Sequence, residues 1–145
     1  MIYLLDVNLL IALLDAHHVH NASAHRWAST HAKSLKWATC PLVENAFVRI
    51  TGKASYPNSL GSAVAALKSL KKNCAETNHH FWPDDISLRD DALWNSPELL
   101  SPAHITDCYL LALAVKRGGK LASFDRHIPA HLVRGGEEAL HILSQ

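Results

Sequence analysis

The chain has 145 residues, 48% of them hydrophobic, enough to bury one core without disulfides or a structural metal and too few for a second domain. Its three cysteines, Cys40, Cys74 and Cys108, are scattered, odd in number and never spaced C-x-x-C, which excludes a disulfide framework and a thiolate zinc site. The net charge of +1 hides an asymmetry, because residues 33–72 carry seven Lys/Arg against the single acid Glu44, and residues 76–98 carry six acids against Arg89. Such a split permits a phosphate-binding face and a separate partner face, with solvated helix faces as the plainer alternative.

The apolar start, MIYLLDVNLLIALLD, lacks a basic leader and a small-residue cleavage site, and Asp6 interrupts it. No other run approaches the roughly 18 apolar residues of a membrane span, so a cytoplasmic protein without a membrane partner is expected.

Residues 2–5 predict a strand, and the apolar run from Leu9 to Leu14 predicts a buried helix with Asn8 as its N-cap. Residues 18–32 predict an amphipathic helix, and Leu35 to Thr39 a second strand. Pro41 suits the first position of a helix carrying Leu42, Val43, Ala46, Phe47 and Ile50, which Gly52 ends. After the turn chemistry of YPNSLGS, a helix is expected over 61–72 with Val64, Leu67, Leu70 and Cys74 on its buried side. Residues 79–82 predict a third strand, closed by Pro83-Asp84-Asp85, and residues 88–94 a short acidic helix. Ser101-Pro102 predicts the N-cap and first turn of a helix running to Arg117, stopped by Gly118-Gly119. Residues 120–123 and 140–143 predict the last strands, the final one at an edge. Strands alternating with helices at this spacing predict a single α/β domain over 1–145, a three-layer α/β/α sandwich on a mainly parallel sheet.

Four acids stand out against this frame. Asp6 and Asp125 each follow a predicted strand end, where open parallel sheets bind ligands. Asp107 is expected in the second turn of its helix, on the face of Leu111 and Ala114, and Glu44 on the face of Phe47 and Val48. Carboxylates directed toward a core are costly unless paired, and clustered ones raise each other's pKa. Hard oxygen donors of this kind suit Mg²⁺ or Mn²⁺. Taken singly, each has an ordinary explanation: Asp6 as a helix cap, Asp107 as a dipole charge, Asp125 as a turn residue.

The segments YLLDVNLLIALL, PLVENAF and ITDCYLLALAVKRGGKLASFDRHI together resemble the PIN-domain family, and within it the VapC-type toxins of bacterial toxin–antitoxin pairs, over nearly the whole chain. The most specific piece couples T-D-x-x-L-L-A-L-A to G-G-K-L-A-S-F-D, a helix acid to a strand-end acid. The resemblance implies a PIN-like fold and an endoribonuclease in which Asp6, Glu44, Asp107 and Asp125 hold one or two Mg²⁺ or Mn²⁺ ions. It also implies a homodimer and a small cognate antitoxin that blocks the pocket. Asn8 and Thr106 match more loosely, as groups that orient the carboxylates.

The chemistry expected of such a centre is hydrolysis of an RNA phosphodiester by metal-activated water, leaving a 5′-phosphate and a 3′-hydroxyl. Arg126, beside Asp125, together with Arg49 and Lys53, is a candidate for phosphate contact, as are Lys68, Lys71 and Lys72. Of the eleven histidines, His20 and His104 fall near the acids, and none has the spacing of a zinc protease. A carboxylate-Mg²⁺ phosphatase would want an acid where Asn8 stands, and a dinucleotide fold would want G-x-G-x-x-G after the first strand. A non-catalytic RNA- or protein-binding module on the same fold is the remaining alternative, opposed by the intact acids.

Overall fold

A computed structural model of the protein describes residues 1–30, 35–76 and 78–145. Five strands, β1 (Ile2–Leu5), β2 (Lys36–Thr39), β3 (His79–Phe81), β4 (Lys120–Ser123) and β5 (Leu140–Ile142), form one sheet in the order β3-β2-β1-β4-β5. All four pairings are parallel, so the sheet is wholly rather than mainly parallel. Leu4, Leu5, Ala38, Leu121 and Ala122 are buried in its central strands, as expected of strands covered on both faces.

The helices are α1 (Val7–Leu14), α2 (Asn21–Thr30), α3 (Pro41–Thr51), α4 (Ala63–Glu76), α5 (Ile105–Lys116) and α6 (Gly136–Ala139). Helix α1 packs on α2 and α3, and α3 on α4, while α5 packs on α6, β1 and β4. Two helical layers thus enclose the sheet. The core between them includes Leu9, Leu10, Val43, Phe47, Leu111 and Leu113.

Several expected boundaries move, each for an identifiable reason. Asp6, not Asn8, caps α1: its carboxylate accepts a hydrogen bond from Leu9 N at 2.8 Å, while Asn8 is an exposed helical residue. Helix α2 begins at Asn21 rather than near residue 18, and Asn21 Nδ2 donates to Ala12 O at 2.8 Å, satisfying a carbonyl at the end of α1. The expected end of that helix, at Ala32, lies outside the described residues. Helix α4 buries Ala66 and Leu70, whereas Val64 and Leu67 are 62% and 48% exposed. Leu70 is thus inward as expected, but the face it shares is that of Ala66 rather than of Val64 and Leu67, and the small Ala66 allows close packing on α3. Between residues 88 and 94 the regular structure is only a 3₁₀ turn, Asp91–Leu93.

The largest correction concerns α5, which starts at Ile105 with His104 at its N-cap. Ser101 and Pro102 lie in the preceding turn, which places Asp107 in the first turn of the helix, not the second. Cys108 is fully buried, consistent with a packing role.

The exit of α5 follows its expected chemistry. Gly118 has φ +67°, the left-handed conformation that ends helices, and Gly119 then lies against β1. A Cβ at position 119 would fall 2.5 Å from Ile2 O and 2.7 Å from the Trp82 ring. Gly119→Ala is expected to cost about 1–3 kcal/mol through overpacking, read as a fall of about 2–4 °C in Tm per kcal/mol. An unchanged melting temperature would show that β1 and β4 yield freely at this contact.

The sheet order also fixes where a ligand site belongs. From β1 the chain steps outward to β2 and β3, then returns past β1 to β4 and β5. The reversal leaves a crevice at the carboxyl ends of β1 and β4, the usual ligand position in open α/β sheets. Helices α1 and α3 begin at that edge because each follows a strand closely. Helix α5 begins there because its far end feeds the start of β4.

Candidate active site

Asp6 emerges from β1 directly into the crevice and is 5% exposed. Its register neighbour is Ser123, since Leu5 pairs with Ala122 across β1 and β4. The Ser123 hydroxyl donates to Asp6 Oδ2, and Ser123 Oγ in turn accepts from Asp125 N at 3.0 Å. One buried hydroxyl therefore ties the two strand-end acids together. Asp125 is further shaped by His127 N, which donates to its Oδ1 at 2.8 Å.

Asp107 enters from α5, half-buried, and its field reaches Asp6, as does that of Asp125. Burial pushes the Asp6 carboxyl up to about 6 from an ordinary 3.8, the bonds from Ser123 and Leu9 N oppose the rise, and the two neighbouring acids add to it. Asp107 is also raised, first by burial and then by Asp125, with His104 pulling the other way. The Nδ1 of His104 is buried with no hydrogen-bond partner among the described residues.

Glu44 arrives from the first turn of α3 and is placed differently. Its Oε2 accepts a 2.6 Å hydrogen bond from the Thr39 hydroxyl, and its charge acts on His79 and Cys74. The His79 pKa is lowered by burial, with Glu44 working against the shift. The structure thus brings Asp6, Asp107 and Asp125 into mutual electrostatic contact and anchors Glu44 on the β2–β3 side of the same edge.

Asp84, in the segment after β3, joins the two helices that carry Glu44 and Asp107. Its carboxylate accepts from Leu42 N of α3 at 3.0 Å and from the Tyr109 hydroxyl of α5 at 2.6 Å. Its neighbour Asp85 takes Lys116 and Arg117, and these are the ion pairs found among the described residues. No Lys or Arg therefore neutralises the four acids of the crevice within the described residues.

The hydroxyls that hold the acids are Ser123 and Thr39, both fully buried at strand ends. Asn8 and Thr106, the groups expected to orient the carboxylates, are exposed residues. Arg126, Arg49 and Lys53 are exposed as well, and His20 packs against Phe124 with ring centroids 5.3 Å apart. Parallel register was the available signal for Ser123, since pairing the first strand with LAS sets that serine beside Asp6.

The donor chemistry of the crevice fits a hard divalent cation. Carboxylate oxygens supply it, and burial pushes the Cys40 thiol up to about 12 and raises that of Cys108, so neither is a thiolate at neutral pH. Among the described residues no three His, Cys, Asp or Glu side chains converge as a preformed ligand cage.

A wholly parallel five-stranded sheet between two helical layers, with acids collected at its switch point, defines a PIN-like α/β/α protein. The fold recurs in the crystal structure of VapBC2 from Rickettsia felis bound to a DNA fragment from their promoter, at a TM-score of 0.63 and 14% identity, covering 99% of this chain and 100% of that one. No family model matches the chain. Curated relatives do: ribonuclease VapC39 of Mycobacterium tuberculosis is 39% identical over 125 residues, spanning 86% of this chain and 89% of its own. Ribonuclease VapC44 of the same organism is 37% identical over 132 residues, spanning 91% and 92%. Ribonuclease VapC38 is 42% identical over 125 residues, spanning 84% of each. The chain belongs to the VapC ribonuclease family.

Proposed function

We propose that the protein is a Mg²⁺- or Mn²⁺-dependent endoribonuclease, the toxin of a type II, VapBC-like toxin–antitoxin pair. The observation that carries this reading is the group of buried Asp6 and part-buried Asp107 and Asp125 at the switch point, with no Lys or Arg paired to it among the described residues and Asp6 pushed up to about 6 by burial and by its two neighbours. Relatives named as ribonucleases support RNA as the substrate, and the VapBC2 likeness supports an antitoxin partner.

Asp6, Asp107, Asp125 and Glu44 would hold one or two ions. A bound divalent ion supplies positive charge that acidifies water and offsets charge developing on a phosphodiester in the transition state. The chain's own part is placement: Ser123 and Leu9 N fix the two oxygens of Asp6, and the first turns of α3 and α5 present Glu44 and Asp107 at the same edge. Ser123, Cys40 and Cys108 are poor covalent nucleophiles, because the Ser123 proton is committed to Asp6 and burial keeps the Cys40 and Cys108 thiols protonated. Hydrolysis then leaves a 5′-phosphate and a 3′-hydroxyl. Arg126, three residues after Ser123 and next to Asp125, is exposed and can approach substrate phosphates, with Arg49 and Lys53 extending the contact. A homodimer in the cytoplasm completes the proposal; no helix among the described residues is long and apolar enough to cross a membrane.

The test is incubation of the purified, antitoxin-free protein with total and transfer RNA in Mg²⁺, Mn²⁺ or EDTA, followed by mapping of the ends. Cuts that require metal and carry 5′-phosphates are expected. Cleavage that persists in EDTA would remove the ion from the mechanism, and a folded protein that binds RNA without cutting it would be a binding module.

A further inference from the structure

Glu44 differs from the aspartates in how it is held. The Thr39 hydroxyl bonds both Glu44 Oε2, at 2.6 Å, and His79 Nε2, at 2.7 Å. A hydroxyl has one proton to give, and at 2.6 Å from a carboxylate oxygen that proton lies on the Thr39–Glu44 bond. His79 Nε2 must therefore donate to Thr39, which defines the ring's tautomer. The imidazole is fixed in turn by Trp37, edge-on with ring centroids 4.8 Å apart, and by the β2–β3 register that pairs Trp37 with His79. Three successive elements, β3, β2 and α3, are thus joined by a directed chain of hydrogen bonds ending on one carboxylate oxygen.

We propose that Thr39 and His79 are positioning residues for Glu44, holding its carboxylate in one rotamer with Oε2 engaged so that Oε1 is presented to the metal centre. This rests on the reading of the four acids as that centre. Glutamate has three rotatable bonds to restrain, and a carboxylate already ordered loses less freedom when it takes an ion. The neighbouring positions do not substitute for the chain: Ser123, on the other side of β1, holds the Asp6 carboxylate and the Asp125 backbone.

The experiment measures Mn²⁺ affinity by calorimetry and by the loss of the free-ion EPR signal, at one fixed pH, with folding followed by circular dichroism. Thr39→Val keeps the shape of the strand residue and removes the hydroxyl, and should weaken Mn²⁺ binding by about 10- to 100-fold, the usual cost of losing a group that orients a ligand. Thr39→Ser restores the hydroxyl and should bind nearly as the wild type does. His79→Phe keeps an aromatic ring on Trp37 but cannot donate, and should fall between them, whereas His79→Gln keeps an N–H and should recover part of the loss. Wild-type affinity in Thr39→Val and His79→Phe, or tighter binding in either, overturns the positioning role. Should Thr39→Val fail to fold, the His79 pair and Thr39→Ser decide the matter by themselves. Mn²⁺ affinity left untouched by Asp107→Asn would instead overturn the acidic centre, a failure distinguishable from one confined to Thr39 and His79.

Discussion

Asp107→Asn should lower RNA cleavage by at least about 100-fold, since losing a direct carboxylate ought to cost no less than losing a group that merely orients one. The same substitution should leave the metal-free protein as stable as the wild type or more so at neutral pH. Asp107 sits half-buried in the first turn of α5, where its negative charge gains from the helix dipole but is opposed by burial and by Asp125. The net balance keeps its pKa raised, so the ionised carboxylate is a strained element of the fold. Asparagine has the same shape without the charge, and removing that charge also relieves Asp6. Loss of cleavage together with an equal or higher Tm is the signature of a group retained for chemistry at the expense of stability. Loss of cleavage accompanied by unfolding would mark Asp107 as structural, and full activity would remove it from the site.

Much of this site could be read from the chain because its parts are local. Asp6 follows a run of four β-compatible residues and Asp125 follows another, so strand ends alone place both at one edge of a parallel sheet. What stayed hidden depended on contacts between distant segments. Ser123 and Thr39 look like ordinary small strand residues until register sets the first beside Asp6 and helix α3 delivers Glu44 to the second. On α4 hydrophobicity points to Val64, Leu67 and Leu70, but of these only Leu70 is buried, and close packing on α3 brings Ala66 inward beside it while Val64 and Leu67 stay exposed. Ser101-Pro102 is a sound capping pair locally, but the turn there delays the start of α5 to Ile105. That three-residue shift is what puts Asp107 at the helix N-terminus beside the strand-end acids.

In EDTA, the thermal stability of the protein should fall as pH rises from about 4 to about 6.5, the reverse of the usual behaviour of a salt-bridged carboxylate. The cause is Asp6, whose pKa is about 6 in the folded chain against an ordinary 3.8. Below 3.8 the group is protonated in both states and its stabilising contribution is complete. Between the two values the folded state keeps a proton that the unfolded state has released, and the contribution drains away until it is lost above about 6. The difference between 3.8 and about 6 corresponds to roughly 3 kcal/mol, or on the order of 5–10 °C in Tm for a chain of this size. Asp107, also raised, acts in the same direction. His79, with its pKa lowered, acts in the opposite direction over part of this range, so the quantity to measure is the difference between wild type and Asp6→Asn. Asparagine still accepts the cap hydrogen bond from Leu9 N but cannot titrate. The difference curve should slope only with the Asp6 transition, and Mg²⁺ added at pH 7.5 should raise the Tm of the wild type far more than that of Asp6→Asn, because only the former recovers its lost stability by binding the ion. Parallel curves for the two proteins, in EDTA and in Mg²⁺ alike, would mean that Asp6 carries neither the buried charge nor the metal.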